Sequence, residues 1–207
     1  VLANKLKIKW VDVDPKTLNM DLDDLARKIT KDTKIIYLVH WGGYPIDLDE
    51  VKKIQDKTQK MFGFRPMVIE DCAHSIGSQW KGQLLGNHGN ICTFSLQAIK
   101  HVTSIDGGIL TLPNQDLYRR AKLLRWYGID RETNKKDFRC EADVAEWGFK
   151  FHMNDVNACV GMENFKYVNE LVDRHIENAE YYSKELNNVV GVTLTQQDMK
   201  HRKSSYW

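Results

Sequence analysis

The sequence predicts an α/β protein built on a largely parallel sheet, and three observations carry that prediction. Short β-type apolar runs alternate with stretches of helical periodicity. Lys34-Ile-Ile-Tyr-Leu-Val39 is a near-continuous apolar run, the pattern of a strand buried on both faces. Three β-helix-β passages fall within about a hundred residues, which implies right-handed crossovers between parallel strands.

Taken in order, Lys7 to Val13 reads as a strand. Leu22, Leu25, Ala26 and Ile29 then fall on one helical face. After the Lys34–Val39 strand, a second helix begins at Leu48 with Asp47 as its N-cap and Val51 and Ile54 turned inward. Met67-Val-Ile69, Ile91 to Leu96 and Gly108 to Leu112 are the next strands. Gln115 to Arg125 is a helix with Leu117, Ala121 and Leu124 on its apolar face. Thr133 to Asp143 is polar and aperiodic and reads as a loop and hinge. Asn154 or Asp155 caps a long helix running past Ala179, a connector between domains or a bent helix, and Val189 to Thr195 reads as the opening strand of a second unit.

Composition excludes several classes. The 207 residues carry 30 Lys+Arg against 28 Asp+Glu, so the strong basic excess of a nucleic-acid binder is absent. No apolar run approaches the ~18 residues of a membrane span. The four cysteines, Cys72, Cys92, Cys140 and Cys159, are far apart with no CxxC pair, which favours free thiols in a cytoplasmic protein. No zinc-ligand spacing occurs among the histidines and cysteines, so no metal is expected.

In an open parallel sheet, ligands gather beyond the carboxyl ends of the strands. Here those ends are followed by His40-Trp41-Gly42-Gly43, by Glu70-Asp71-Cys72-Ala73-His74 and by Ser95 through Lys100. An acid directly after a strand can meet a cationic group, although turn or cap duty is its commoner use. Lys100, in a loop between two strands and close to Gly107-Gly108, can serve as an amine nucleophile if desolvated; a solvated loop lysine is the plainer alternative. The two glycines call for a positive-φ turn or a close backbone approach.

These residues resemble a known family. Val68-Ile-Glu-Asp71-Cys-Ala-His74-Ser-Ile-Gly77, then Gly82, Gly86 and Gly89, then Thr93-Phe-Ser95, Lys100 and Asp106-Gly-Gly108 look like the core of the DegT/DnrJ/EryC1/StrS aminotransferases. Asp12-Val-Asp14-Pro15, Val39-His40 and Gly148-Phe-Lys150-Phe-His152-Met-Asn-Asp155 extend the likeness to all but about the last dozen residues. It implies the pyridoxal-phosphate transferase fold of type I, aspartate aminotransferase-like. Residues 1–153 would be the C-terminal part of the large cofactor-binding domain, and 154–207 the connecting helix and the start of the small domain.

The resemblance also implies roles. Lys100 would carry pyridoxal 5'-phosphate as a Schiff base and move the proton. Asp71 would pair with the pyridine nitrogen, His74 would lie near the ring hydroxyl, and Ser95 would donate to the phosphate. Lys150 stands where many members have Asn, reaching the phosphate of a neighbouring subunit in a homodimer with a shared active site. His152 and Arg125 are substrate candidates, though a helix end packed on the core is the commoner use of a run such as Arg125-Trp126-Tyr127. Ile105 departs from the glycine common before Asp106-Gly-Gly.

The implied activity is amino transfer from glutamate or glutamine to a nucleotide-linked keto sugar, in amino-sugar biosynthesis. A non-catalytic relative that senses cofactor or nucleotide sugar is the alternative. Sugar dehydratases of the family carry His in place of the Schiff-base lysine, so Lys100 disfavours that reading. A start at Val1 without Met and a stop at Tyr206-Trp207 read as cuts through a longer protein.

Overall fold

The computed structural model describes residues 1–132, 144–195 and 197–207; the Thr133–Asp143 loop expected above lies outside them. Helix α1 (Leu22–Lys28) starts where Asp21 accepts from the backbone N–H groups of Asp23 and Asp24. Helix α2 (Leu48–Phe62) starts at Asp47, whose Oδ1 accepts from Glu50 N at 2.9 Å, and ends at Gly63 in the left-handed region. Strands β1 (Ile35–Val39), β2 (Met67–Asp71), β5 (Ile91–Ser95) and β6 (Gly108–Thr111) form one sheet in the order β1-β2-β5-β6. β1, β2 and β5 are parallel; β6 is antiparallel to β5.

The chain between β2 and β5 is a small hairpin, β3 (Gln79–Trp80) and β4 (Gln83–Leu84), so the third of the three expected β-helix-β passages has no helix. Among the described residues only β1-α2-β2 is a helical crossover within this sheet. The glycines at 82, 86 and 89 all have positive φ, so this span is spent on turns too tight for a helix.

The sheet packs on one face. Ile36, Leu38, Val68 and Cys92 are buried against Leu25, Leu48, Val51 and Ile54 of the two helices. The alternate residues of β1, Ile35, Tyr37 and Val39, are exposed. β1 is therefore not buried on both faces as its composition predicts, because no described element covers the second face. A second cluster of Ile76, Leu96 and Val102, joined by Phe94, Met153 and Val168, lies beneath the Lys100 loop.

Two strand expectations fail. Lys7 to Val13 forms no strand beyond one bridge from Val13 to Met20, and Trp10 is exposed. Val189 to Thr195 forms a turn at Val190 and Gly191 and no strand; Gly191 has φ 86°, Val190 is fully exposed, and no strand of the described residues pairs with them. Lys200-His-Arg-Lys203, readable as a solvated basic loop, contains strand β7 (Arg202–Lys203), antiparallel to β3. The Arg202 guanidinium lies over Trp80 (4.7 Å) and Tyr44 (5.1 Å), so cation–π contact and stem packing offset its partial burial.

Helix α3 (Gln115–Leu124) is capped by Asn114, whose Oδ1 accepts from Leu117 N. The expected long helix is two, α4 (Asp155–Phe165) and α5 (Val168–Leu186). It breaks where Lys166 and Tyr167 N–H groups bond three residues back, to Glu163 and Asn164, which tightens the last turn of α4. No helix of the described residues is long and apolar enough to cross a membrane.

Candidate active site at the carboxyl ends of the strands

Parallel pairing aligns Val39, Asp71 and Thr93 in register, so the loops after β1, β2 and β5 leave the sheet at one edge. Asp71 ends β2. Its Oδ1 accepts from Ala73 N at 3.0 Å and its Oδ2 from the Tyr37 hydroxyl at 3.1 Å. Two donors hold the carboxylate at the strand end without neutralising it.

Glu70, next to Asp71, points the opposite way, as strand alternation requires. It is fully buried with His40. His40 Nδ1 accepts from Ile46 N at 3.0 Å, which leaves the proton on Nε2 for Glu70 Oε2 at 2.8 Å; Glu70 Oε1 accepts from Asn90. Burial pushes the Glu70 carboxyl up, and the His40 and Asn90 contacts outweigh it and hold the group below its ordinary range. With Cys72 these two could offer three ligand atoms within 4.8 Å of one another. The histidine and glutamate lone pairs, however, already serve the fold. Cys72 is an inert core thiol, its ionisation opposed by neighbouring Cys92 and by burial.

His74 sits in the turn after β2. Its Nδ1 faces Gly42 N–H at 3.3 Å, so Nε2 carries the proton and is free to donate. Burial and then Lys100 hold the imidazole below its usual range, against an opposing pull from Asp71. His74 thus lies within electrostatic reach of both groups. Its ring is stacked on Trp207 (centroids 3.8 Å, 14°) and meets the edge of Trp41 at 5.0 Å.

Ser95 ends β5, and its Oγ accepts from Gln97 N at 3.3 Å, leaving its own proton free. Lys100 follows in a turn closed by its N–H to Gln97 O. Its Nζ has no carboxylate partner among the described residues and lies 3.9 Å from the centre of the Trp207 ring. After this loop, Gly107 has φ 145°, and a Cβ on Gly108 would stand 2.7 Å from Phe94 O, so the pair serves both the turn and the close approach. Ile105, a β-branched residue, takes φ 71° where glycine is the easier choice.

Lys150, His152 and Arg125 form a separate group. Trp126 bridges to Lys150, and Phe151 N donates to Arg125 O. The His152 ring stands edge-on to Trp126 at 3.7 Å, and its buried Nδ1 has no partner among the described residues. Burial, then Lys150, Arg125 and Arg131, disfavour its protonated form. Lys150 and Arg125 are exposed, and among the described residues no hydrogen bond or ring contact joins this group to Lys100. The first four sequence candidates are therefore gathered at one edge, and these three form a basic cluster without such a bond to it among the described residues, although Met153, next to His152, packs on the hydrophobic cluster of Leu96 and Val102.

Tyr37 and Trp207 join the site without a motif in the sequence. Tyr37 reads as strand interior, and only the β1–β2 register shows that it reaches Asp71. The one sequence signal for Trp207 is an aromatic close to two small residues that can be buried, Ser204 and Ser205.

The model of the DegT/DnrJ/EryC1/StrS aminotransferase family matches residues 1–207. The chain is similar to AtS13 from Actinomadura melliaura, with 52% identity and a TM-score of 0.94 over 99% of this chain and 54% of that one. It is similar to the sugar aminotransferase CalS13 from Micromonospora echinospora, with 46% identity and a TM-score of 0.93 over 100% of this chain and 55% of that one. A curated relative from Shewanella sediminis, UDP-4-amino-4-deoxy-L-arabinose–oxoglutarate aminotransferase, is 35% identical over 93% of this chain and 49% of its own length. The chain spans about half the length of the curated relatives it matches. The expected α/β fold is borne out by these likenesses.

Proposed function

The chain belongs to the DegT/DnrJ/EryC1/StrS aminotransferase family, and from that membership we propose that its protein moves an amino group from glutamate or glutamine to a nucleotide-linked keto sugar, with pyridoxal 5'-phosphate as cofactor. The observation that carries this reading is the Lys100 amine, which has no acid partner among the described residues and shares Trp207 with a histidine that feels both Lys100 and Asp71. The name of the Shewanella sediminis relative supports the donor, since oxoglutarate is the keto acid that glutamate leaves behind.

The residues present fit the cofactor. Lys100 Nζ would hold it covalently, and the free amine would take up and return the proton at the reacting carbon. Asp71, fixed by Ala73 N–H and the Tyr37 hydroxyl, is a carboxylate acceptor suited to a protonated ring nitrogen. His74 offers Nε2–H to a ring oxygen, and Ser95 offers its hydroxyl proton to a phosphate. When bound, pyridoxal phosphate supplies the electron sink for the carbanion. Lys150, exposed and without a carboxylate partner among the described residues, suits a phosphate of a second subunit in a homodimer, and Arg125 and His152 are candidates for substrate contact. In this reading residues 1–153 belong to the large domain and 154–207 lead into the small one.

The test is reduction of the cofactor-loaded full-length protein with borohydride, followed by peptide mass spectrometry. The cofactor mass is expected on Lys100 and absent from Lys100→Ala. A label on another lysine, or none, overturns the assignment. Amino sugar and 2-oxoglutarate formed from glutamate and a nucleotide-linked keto sugar would complete it; cofactor bound without turnover of any sugar would favour a sensor.

A further inference from the structure

Trp207 is built into the site from three sides. Ser204 and Ser205 are fully buried. Ser205 N donates to Ser78 Oγ at 3.0 Å, and Ser205 Oγ donates to His74 O at 2.7 Å, which ties the backbone to the loop after β2. His101 Nε2 meets Ser205 O at 3.0 Å from the Lys100 loop, and His175 Nδ1 meets Tyr206 O at 2.9 Å from α5. The indole N–H of Trp207 donates to Ile99 O at 3.2 Å. With its backbone and its ring nitrogen both held, the indole is a fixed wall. Gly43 completes the fit: a Cβ there would lie 2.3 Å from Ser205 Oγ.

The wall meets two groups, the near-parallel His74 ring and the Lys100 amine. An ammonium 3.9 Å from an indole centre is in cation–π contact. His74, His101 and His175 offer no negative charge to compete for it, and Asp71 is already engaged by Tyr37 and Ala73.

We propose that Trp207 is a positioning residue for Lys100, its indole face holding the lysine ammonium whenever that amine is not joined to the cofactor. The proposal rests on the reading of Lys100 given above. An Nζ joined to the cofactor would no longer be a free ammonium, so the contact with the indole would weaken. The indole therefore stabilises the released lysine over the joined one and eases release.

Two measurements on the full-length protein test this. In the first, lysines of the cofactor-free protein are dimethylated with ¹³C-formaldehyde, which keeps their charge. The Lys100 methyl resonance, assigned by its loss in Lys100→Arg, is expected upfield of the other lysines through the indole ring current and back among them in Trp207→Leu. In the second, the dissociation constant for pyridoxal phosphate is measured by borohydride trapping at Lys100. Trp207→Leu is expected to bind roughly fivefold tighter, the factor of a half-exposed cation–π contact, and Trp207→Phe to return toward wild type. A merely structural tryptophan would weaken binding when replaced. An unshifted wild-type resonance, or equal or weaker binding by Trp207→Leu, overturns the proposal; if Trp207→Leu does not fold, the wild-type resonance and Trp207→Phe decide it. If nothing is trapped on Lys100 in wild type, the cofactor reading falls, while the cofactor-free resonance still decides the contact.

Discussion

The Tyr37 hydroxyl donates to Asp71 Oδ2 at 3.1 Å, reaching from β1 across the parallel pairing to the last residue of β2. Burial, and then the nearby Asp71 charge, push the phenol above its usual range, so it stays a donor at neutral pH. Charge-assisted bonds of this kind are the stronger ones, and this one fixes which way the carboxylate faces.

Tyr37→Phe is accordingly expected to weaken pyridoxal-phosphate binding about fivefold, in line with ~1 kcal/mol for a half-exposed hydrogen bond, with little change in thermal midpoint. Titration of the cofactor into the full-length variant measures it. In Asp71→Asn the phenol should ionise at lower pH than in wild type, read from tyrosinate absorbance.

Ile105→Gly should raise stability by about 0.5–1 kcal/mol. A β-branched residue at φ 71° pays for a conformation that glycine adopts freely, and the added freedom of the unfolded chain offsets only part of the gain. A thermal midpoint that falls would show that Ile105 makes a packing contact worth more than its strain.

Burial, and then His175, lower His101 to about 4, against the raising effect of the Ser205 carbonyl. Such a group is neutral when folded and takes up a proton on unfolding. Its stabilising contribution is therefore complete above about pH 6.5 and is lost as pH falls toward 4, on the order of 2 kcal/mol after allowance for solvent screening. His101→Gln, which keeps a donor for Ser205 O, should flatten the fall in thermal midpoint between pH 7 and pH 4.5.

Glu70→Ala should destabilise the protein by about 3–5 kcal/mol, because His40 Nε2–H and the Asn90 amide lose their buried acceptor. Glu70→Gln keeps one acceptor oxygen and should cost about 1–3 kcal/mol. Urea midpoints at an unchanged denaturant slope measure both.

The parts of the fold legible in the sequence are those set by local chemistry. Asp47 and Asn154 could be read as caps because their side chains bond their own first turn. The strand ends bearing Asp71 and Ser95 could be read because turn residues follow apolar runs. Lys7 to Val13 and Val189 to Thr195 have strand composition, but a strand needs a neighbour, and pairing is a long-range property. β1 looked doubly buried since Ile, Tyr, Leu and Val do not reveal which alternate face is covered. In the site, the motif spacing pointed to Asp71, His74, Ser95 and Lys100, all of which sit at one edge. Tyr37 depended on strand register, and Trp207 on the hydrogen bond that ties Ser205 to Ser78, 127 residues away in sequence, so neither had a local signature.

That distant pairing bears on the order in which the molecule can be built. Ser78 Oγ donates to Gly43 O at 2.6 Å and receives the backbone N–H of Ser205, so the turn beside His74 is closed by residues made 127 positions later. A chain emerging from the ribosome can form β1, α2 and β2 early, since their contacts are near in sequence. The pocket edge around His74 must wait, open, until Arg202 to Trp207 arrive, and closing so long a loop is slow. Fold and site are thus completed at different moments: the sheet edge that presents Asp71 precedes the aromatic wall that faces Lys100.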